Sequence, residues 1–366
     1  MGDVAEQPSE AELIAHDIYD PAAPGAAELL AFIREAIDLG ISVEDIVQFG
    51  PSFALAKQML RPGESIDLAE AARRAGIDVD LATRIYRACG LVIPAEGAST
   101  LTDEDVEILA AFAAGAQIFG EEMILQMVRV IGASSARIAE TAVSQFAVSL
   151  AALNAEQPVT EIDIARWNRS TISLLPVVVR TIDILIRRHI EARSRPNIEF
   201  AKWSGIDTIN RAIGFCDLVG YTTFSSDIPP PDLDTAIGAF GRTASDIVVE
   251  SGGSVVKLIG DEVMFVAPDG AVGCSIALSL AERFVGDELL PEVRVGIAAG
   301  EIVLREGDYY GTVVNLAARI VKQAPPGTVL APASFRESVA GFTYEDAGKH
   351  DLKGFDEDVA LVVVRH

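Results

Sequence analysis

The hydrophobic pattern of the sequence changes near residues 194–203 (SRPNIEFAKW), and this change limits the folds open to the chain. Before it, apolar residues recur at spacings of three and four, as in residues 28–40 (ELLAFIREAIDLG), which is typical of helices with one buried face. After it, short apolar runs rich in β-forming residues alternate with helical segments. We therefore predict an all-α domain over residues 1–195 and an α+β domain over residues 196–366.

The order of the segments after this change predicts a particular topology. Strand and helix patterns follow one another as β-α-β-β-α-β with a C-terminal extension, which is the order of ferredoxin-like folds. The segments are a strand (213–219), a helix (232–253), a β-hairpin (254–268), a second helix (271–286), a strand pair (292–304), a third helix (311–324), a short strand (328–332) and a final β region (342–366).

Length, charge and composition narrow the class of protein. The chain has 366 residues, half of them apolar, which is enough for two globular domains with their own cores. Its net charge of −25 disfavours nucleic acid and anionic membrane surfaces as partners, because both carry dense negative charge. Three widely spaced cysteines, Cys89, Cys216 and Cys274, indicate neither a disulfide framework nor a cysteine-based zinc site.

Two further features predict a cytoplasmic protein. The most apolar run, residues 172–179 (ISLLPVVV), is too short to span a bilayer. The sequence begins MGDVAEQPSEAE, which is acidic where a secretory signal is basic and then apolar. We therefore expect a cytoplasmic location and no membrane span.

Acidic residues occur at the ends of two predicted strands. Asp217 lies in FCDLVGYT, and Asp261 lies in the hairpin VVKLIGDEVMF, which also contains Lys257 and Glu262. The first strand of a β-α-β-β-α-β sheet neighbours the hairpin, so Asp217 and Asp261 can approach each other. Two close carboxylates repel unless a divalent cation such as Mg²⁺ or Mn²⁺ lies between them. The alternative is a solvent-facing turn with charged residues at its tip.

Three segments in the second half resemble the signature segments of the class III nucleotidyl cyclases. They are residues 215–222 (FCDLVGYT), 255–265 (VVKLIGDEVMF) and 307–320 (GDYYGTVVNLAARI), and they stand in that family's order and spacing. The similarity covers roughly residues 205–366. It implies the ferredoxin-like catalytic domain of these cyclases, which convert a nucleoside triphosphate to its 3′,5′-cyclic monophosphate and pyrophosphate.

The resemblance implies roles for the acidic residues at the strand ends. Asp217 and Asp261 match the two aspartates that hold two divalent cations, Mg²⁺ or Mn²⁺, one at the ribose 3′-hydroxyl and one on the triphosphate. The backbone of the residues after Asp217 matches the segment that wraps the phosphates, namely Val219, Gly220, Tyr221 and Thr222.

Two further pairs match residues that select and process the nucleotide in this family. Lys257 and Asp308 match the pair that reads the purine, and a lysine donor with an aspartate acceptor complements adenine better than guanine. ATP is therefore the expected substrate, and a guanylyl cyclase is the alternative. Asn315 and Arg319, four residues apart on a predicted helix, match the pair that orients the ribose and stabilises the transition state.

The same resemblance implies a homodimer formed through the catalytic domains. In this family the metal-binding aspartates come from one catalytic domain and the asparagine and arginine come from its partner, so two copies arranged head to tail build two complete sites. One segment departs from the family pattern. Residues 352–358 (LKGFDED) place Phe355 where many members have a phosphate-binding lysine, and Lys353 is the candidate replacement.

The helical half contains a segment that resembles the helix-turn-helix of MerR-type DNA-binding domains. Residues 68–92 predict a short helix, a glycine turn and a second helix with Arg84 and Arg87, and residues 101–112 predict a further helix. DNA reading through the second helix is one interpretation, and a generic packing unit is the other. The acidic residues around this segment favour the packing unit, so we expect no nucleic acid partner.

The arrangement of a helical domain before a cyclase domain resembles that of actinobacterial, especially mycobacterial, adenylyl cyclases. This resemblance implies a regulatory helical domain that can inhibit catalysis and respond to pH. The expected signal is a small molecule, a lipid or a proton, and the apolar residues 110–132 either line a lipid-sized pocket or pack as core. The sequence therefore predicts a regulated adenylyl cyclase. The alternative from a different class is a non-catalytic, ligand-responsive regulator that uses the cyclase fold for dimerisation.

Overall fold

The chain divides into two compact units, Met1–Ile198 and Glu199–His366. The predicted domain boundary between residues 195 and 196 lies outside the described residues. Among the residues that are described, no helix has both the length and the hydropathy needed to cross a bilayer. The structure, a computed structural model, describes residues 8–23, 25–38, 41–156, 159–193, 208–287 and 289–366.

Helices form the first unit, as the periodicity predicts. Apart from them, its described part has one isolated β-bridge, between Ile66 and Leu101. The helices described there are α1 Glu10–Ala15, α2 Ala26–Asp38, α3 Val43–Phe49, α4 Pro51–Leu60, α5 Leu68–Ala75, α6 Val79–Ala88, α7 Asp103–Phe119, α8 Glu121–Glu156, α9 Glu161–Ser173 and α10 Leu175–Arg193.

The helix-turn-helix-like segment forms α5 and α6, whose ends follow from local chemistry. Asp67 and Asp78 cap the two helices by accepting hydrogen bonds from the backbone N–H groups of Glu70 and Leu81. Gly76 ends α5 in the left-handed conformation, with φ of 72°, which residues with a side chain rarely adopt. The two helices pack with α7 in one apolar cluster.

Arg73, Arg74 and Arg84 on these helices are bound to acidic neighbours within the same unit, whereas Arg87 is exposed and has no ion pair among the described residues. Arg73 bonds Glu70 at 2.6 Å on α5. Arg84 lies on α6, the helix that would read DNA, and it bonds both Asp80 and Glu121. Because these positive charges are already paired, the geometry favours the packing interpretation of this segment over DNA reading.

Asp105 is a buried carboxylate that joins three helices of the first unit. It is 7 % exposed and accepts hydrogen bonds from the Tyr86 hydroxyl at 3.0 Å, from the Thr102 backbone N–H at 2.8 Å and from the Arg61 guanidinium. Burial, assisted by the charge of Asp105, raises the pKa of Tyr86 to about 12, so the hydroxyl stays protonated and donates. These bonds tie the end of α4 and the last turn of α6 to the first turn of α7.

We expect Asp105→Asn to lower the free energy of opening of α6 and α7 by about 2 kcal/mol, because buried donors lose a charged acceptor. Hydrogen exchange of the backbone amides in these helices measures this change. Asp103→Asn is the matched control: Asp103 lies in the same helical turn, but its side chain is 84 % exposed, so the change is at most about 0.5 kcal/mol. Equal loss of protection in the two variants would contradict the structural role of Asp105.

The helix α8 extends well beyond the core that it joins. Its 36 residues span about 54 Å. Its N-terminal turns bury Leu125 and Val128, whereas Val143 and Val148 are exposed. The predicted apolar segment 110–132 forms the end of α7 and the start of α8. Leu125 from this segment packs in the cluster of α5 to α7, whereas Ile118, Phe119 and Met123 are exposed.

The second unit is a sheet covered by helices. A 3-10 turn, Val321–Gln323, directly follows its helix α14. The elements are β1 Thr208–Leu218, α11 Tyr221–Asp227, α12 Pro230–Glu250, β2 Ser254–Ile259, β3 Glu262–Ala267, α13 Gly270–Arg283, β4 Val293–Arg305, β5 Asp308–Tyr310, α14 Thr312–Ile320, β6 Val329–Pro332, α15 Phe335–Ser338, β7 Thr343–His350 and β8 Val359–Arg365.

The topology of this sheet confirms the predicted ferredoxin-like α+β class. The strand order is β2-β3-β1-β4-β6-β8-β7, with β5 paired to β4, and β1 runs antiparallel to both β3 and β4. The prediction of a strand pair over residues 292–304 is wrong, because these residues form the single strand β4. The strand continues without a turn through Gly300. The chain reverses only at Glu306 and Gly307, whose φ angles are 53° and 78°.

Alternation along β1 places Asp217 on a definite face of the sheet. Ile213 and Phe215 pack in the cluster that contains residues of α14, whereas Cys216 and Leu218 pack in the opposite cluster with α12 and α13. Successive side chains of a strand point to opposite faces, so Asp217 projects from the same face as Phe215. The candidate metal ligand therefore lies on the face that α14 covers.

A close approach of β1 and β3 sets their register near this position. Gly214 pairs with Phe265, and a Cβ atom at Gly214 would lie 2.1 Å from Cζ of the Phe265 ring. Glycine thus lets the buried ring lie across β1. The same register places Asp217 opposite Glu262 three residues further along β1.

Candidate active site

Acidic residues from two strands and a turn meet at one corner of the sheet. Asp217 is the second-last residue of β1, and Glu262, the first residue of β3, lies opposite it. Asp261 lies in the turn between β2 and β3, and its backbone carbonyl accepts a hydrogen bond from the N–H of Leu218 at 3.2 Å. The fold therefore brings the two predicted metal-binding aspartates to the same corner.

Asp217 is 2 % exposed and is bound by two cations. Arg294, which lies opposite it on β4, places Nε and Nη2 at 2.7 Å and 2.6 Å from Asp217 Oδ2. Lys322, in the 3-10 turn after α14, places Nζ 3.0 Å from Asp217 Oδ1 and 2.9 Å from Glu262 Oε2. A buried charge is costly unless it is paired, and these contacts provide the pairing.

Lys322 stays charged within this cluster. Partial burial lowers its pKa, but the hydrogen bonds to Glu262 and Asp217 and the charges of both carboxylates outweigh burial and raise the pKa above its ordinary value. Two cations therefore balance Asp217 and Glu262, and the third acid of the corner, Asp261, has no cation partner among the described residues.

Asp261 has different surroundings from Asp217. Its side chain is half-buried and has no hydrogen-bond or ion-pair partner among the described residues. Across that same part of the chain, no group of three or more His, Cys, Asp or Glu side chains is placed to hold a metal ion. One or two carboxylates together with substrate phosphates are a common ligand set for Mg²⁺. Asp217 and Asp261 therefore fit a divalent cation whose remaining ligands come from a nucleotide.

Lys257 and Asp308, the predicted purine-reading pair, are bonded to each other. Lys257 lies on β2 and Asp308 begins β5, and Lys257 Nζ lies 2.5 Å from Asp308 Oδ2. The other oxygen of Asp308 accepts a hydrogen bond from the N–H of Tyr309 at 2.9 Å. Both side chains remain partly exposed, so one donor and one acceptor are together and accessible to a ligand.

The predicted phosphate-wrapping segment is a tight turn that leads into α11. Val219 is held by a hydrogen bond from its N–H to the Glu292 carbonyl at 2.9 Å, and Gly220 adopts the left-handed conformation with φ of 70°. The first backbone hydrogen bond of α11 runs from the N–H of Thr223 to the carbonyl of Gly220. The N–H groups of Tyr221 and Thr222 come before it and are not used within the helix. The Thr222 side chain lies outside the described part of the chain.

Asn315 and Arg319 lie on α14, and in the described part of the chain no contact joins either side chain to the acidic corner. Both are exposed and share one face of the helix, whereas Ala317 and Ile320 are buried against the sheet. Neither the Asn315 nor the Arg319 side chain has a hydrogen-bond or ion-pair partner within the described ranges. Within the described part of one chain, neither side chain contacts Asp217 or Asp261.

The segment that departs from the family pattern lies in the loop between β7 and β8. Lys353 is exposed there, and no contact links it to the acidic corner. Phe355 is partly buried and packs on the cluster that contains Ile320 and Leu352. The aromatic ring at this position is a core residue.

Sequence reasoning missed Arg294 and Lys322. The position of Arg294 was predictable, because antiparallel pairing of β1 with β4 places the end of β1 beside the start of β4. In that register Arg294 lies directly opposite Asp217. The position of Lys322 was not predictable, because it depends on the 3-10 turn that ends α14.

Family models match both units of the chain. A model described as the adenylate and guanylate cyclase catalytic domain matches residues 207–364, and one described as the adenylate cyclase regulatory domain matches residues 20–191. The fold, the acidic corner and the first of these matches define a class III nucleotidyl cyclase domain.

Three relatives extend this result over most of the chain. An adenylate cyclase of Streptomyces coelicolor is 34 % identical over 265 residues, which are 70 % of this chain and 67 % of that protein. An uncharacterized protein of Mycobacterium tuberculosis is 32 % identical over 91 % of this chain and 88 % of its own length. A pH-sensitive adenylate cyclase of Mycobacterium tuberculosis is 29 % identical, over 93 % and 88 %. The chain belongs to the class III adenylate cyclases that have an N-terminal regulatory domain.

Proposed function

We propose that this adenylate cyclase converts ATP to 3′,5′-cyclic AMP and pyrophosphate at sites shared by two copies of the catalytic domain, with two Mg²⁺ or Mn²⁺ ions bound. The observation that supports this most directly is that one chain does not join two incomplete sets of groups. Asp217 and Asp261 meet at one corner of the sheet, while Asn315 and Arg319 are exposed and have no hydrogen-bond or ion-pair partner in the described residues. A head-to-tail pair of domains brings the two sets together twice.

Asp217 and Asp261 would hold the divalent ions, which when bound make the ribose 3′-hydroxyl more acidic and neutralise the triphosphate. In the turn from Val219 to Thr222, the backbone N–H groups of Tyr221 and Thr222 would donate to the phosphate oxygens, since the Val219 N–H is already bonded to the Glu292 carbonyl. Arg294, bonded to Asp217 Oδ2 at 2.6 Å, keeps that carboxylate in position.

The reaction itself is one in-line displacement. The 3′-oxygen forms a bond to the α-phosphorus, the bond from that phosphorus to the oxygen bridging to the β-phosphate breaks, pyrophosphate leaves, and the hydroxyl proton is released. Arg319 of the second copy stabilises the charge on the transferred phosphoryl oxygens, and Asn315 orients the ribose. Lys353 remains a candidate phosphate contact from the loop between β7 and β8.

The Lys257 and Asp308 pair selects adenine in this proposal. Lys257 donates to a ring nitrogen of adenine, and Asp308 accepts from the exocyclic amino group. Guanine places a carbonyl oxygen where adenine has its amino group, so Asp308 would face a second acceptor. ATP as the substrate also accords with a cytoplasmic location.

A complementation experiment tests the shared site. Asp217→Asn and Arg319→Ala, each expressed alone, should lower cyclic AMP production from ATP with Mn²⁺ by about 100-fold or more, because each removes charge stabilisation from every site. Co-expressed, the two variants should recover about a quarter of wild-type activity, since half of the dimers are mixed and each mixed dimer has one intact site.

Arg336→Ala is the matched control for Arg319→Ala, because Arg336 is an exposed arginine on α15 of the same unit. It should retain wild-type activity. Co-expression that yields only the summed activities of the single variants contradicts the shared site. A wild-type chain that makes no cyclic nucleotide supports the non-catalytic regulator instead.

Exchanging the purine-reading pair should change the substrate. We expect Lys257→Glu with Asp308→Asn to lower kcat/KM for ATP by about 100-fold and to raise it for GTP, because the acceptor and the donor now match guanine. Steady-state rates with each nucleotide measure this. Unchanged preference for ATP in the double variant would assign adenine recognition to other residues.

We also propose that the helical domain inhibits the catalytic domain and that pH changes this inhibition. The match of residues 20–191 to a regulatory domain and the similarity to a pH-sensitive cyclase support this proposal. Residues 196–366 alone should have a higher cyclase activity than the full chain. Between about pH 5.5 and about pH 8, the activity of the full chain should change more than the activity of this fragment. A fragment that is inactive while the full chain is active would make the helical domain a required scaffold.

A further inference from the structure

The backbone of Lys322 is anchored beside a buried residue, whereas its side chain is half-exposed. Its neighbour Val321 is fully buried in the cluster between α14 and the sheet, so the backbone at Lys322 is fixed. The Lys322 side chain is 48 % exposed and carries its ammonium on a flexible stem. The ammonium can therefore move while its attachment point does not.

A divalent ion and the Lys322 ammonium compete for the same oxygen. Nζ lies 3.0 Å from Asp217 Oδ1, and a bound Mg²⁺ would lie about 2.1 Å from a ligating carboxylate oxygen. The two positive centres would then be within a few ångströms of each other and repel. Arg294 bonds mainly the other oxygen, Oδ2, so Lys322 is the cation that has to move.

Glu262 determines where the displaced ammonium can go. Glu262 Oε2 lies 2.9 Å from Lys322 Nζ and its side chain is 14 % exposed, so this anchor remains when the contact to Asp217 is broken. Phosphate oxygens that share an ion with Asp217 lie within a few ångströms of that carboxylate. They are the nearest anionic acceptors to an ammonium that has left Asp217 and stays beside Glu262.

We propose that Lys322 is a substrate-binding residue of the cyclase site, which rests on the function proposed above: it pairs with Asp217 before the divalent ion binds, and then bonds the polyphosphate of ATP. The residue thus has two opposite effects. It weakens the binding of the ion to the free protein and strengthens the binding of the polyphosphate. A lysine with a purely structural role would have neither of these opposite effects.

Two measurements on the full-length protein separate these effects. The first is the Kd of Mn²⁺ for the nucleotide-free protein, measured by electron paramagnetic resonance of the unbound ion. The second is the Ki of inorganic triphosphate as a competitive inhibitor with Mn²⁺ saturating, which reports phosphate contacts without the base or the ribose.

In Lys322→Met the Kd of Mn²⁺ should fall about threefold or more, because a competing charge is gone. The Ki of triphosphate and the KM of ATP should both rise about tenfold, because one charge-assisted contact is lost. Lys322→Arg keeps the charge and should restore the Ki to within about threefold of wild type. Lys349→Met, which removes an exposed lysine on β7, is the control and should match wild type in both measurements.

An unchanged Ki of triphosphate in Lys322→Met overturns the proposal, and so does weakening of both Mn²⁺ and triphosphate binding. If Lys322→Met does not fold, Lys322→Gln keeps a hydrogen-bond donor near Glu262 and is expected to shift both constants in the same directions. If the wild type makes no cyclic nucleotide, the proposed function fails. Direct titration of Mn²⁺, with and without triphosphate, still tests Lys322 in that case.

Discussion

The pairing of the buried Asp217 carboxylate is the interaction on which the catalytic unit depends. A carboxylate that is 2 % exposed has to be bound to positive charge, and Arg294 and Lys322 supply that charge from β4 and from the turn after α14. These contacts fix the end of β1 relative to its neighbour and to the helix above it. Lys322 holds the acids of β1 and β3, Asp217 and Glu262, together as a consequence.

The sequence predicted the parts of this unit that depend on local pattern. The strand pattern at residues 213–219 and the hairpin at residues 254–268 predicted β1, β2 and β3, and the order of elements predicted their topology. The long strand β4 was misread as a pair, because Gly300 resembles a turn residue in a single sequence. The contacts of Lys322 and the core position of Phe355 follow from tertiary packing, for which no local pattern exists.

The helical unit shows the same division between local and tertiary information. Periodicity predicted the helices, and the structure adds the caps that start two of them, Asp67 and Asp78. The partners of Asp105 could not be predicted, because Arg61 and Tyr86 reach it from distant helices. Those ion pairs also explain why a segment with the pattern of a DNA-binding motif presents few free positive charges, since Arg84 is bonded to Asp80 and Glu121.

The bond between Lys257 and Asp308 bears on how the proposed site would select its base. Because these groups satisfy each other at 2.5 Å, a nucleotide base bound there would exchange one set of bonds for another instead of filling unpaired positions. A base that satisfies both groups would replace both bonds and gain little affinity from the exchange. A base that satisfies only one of the two groups would leave a charge without a partner, which costs binding free energy. The resting ion pair would then act as an internal competitor that converts weak base binding into strong discrimination.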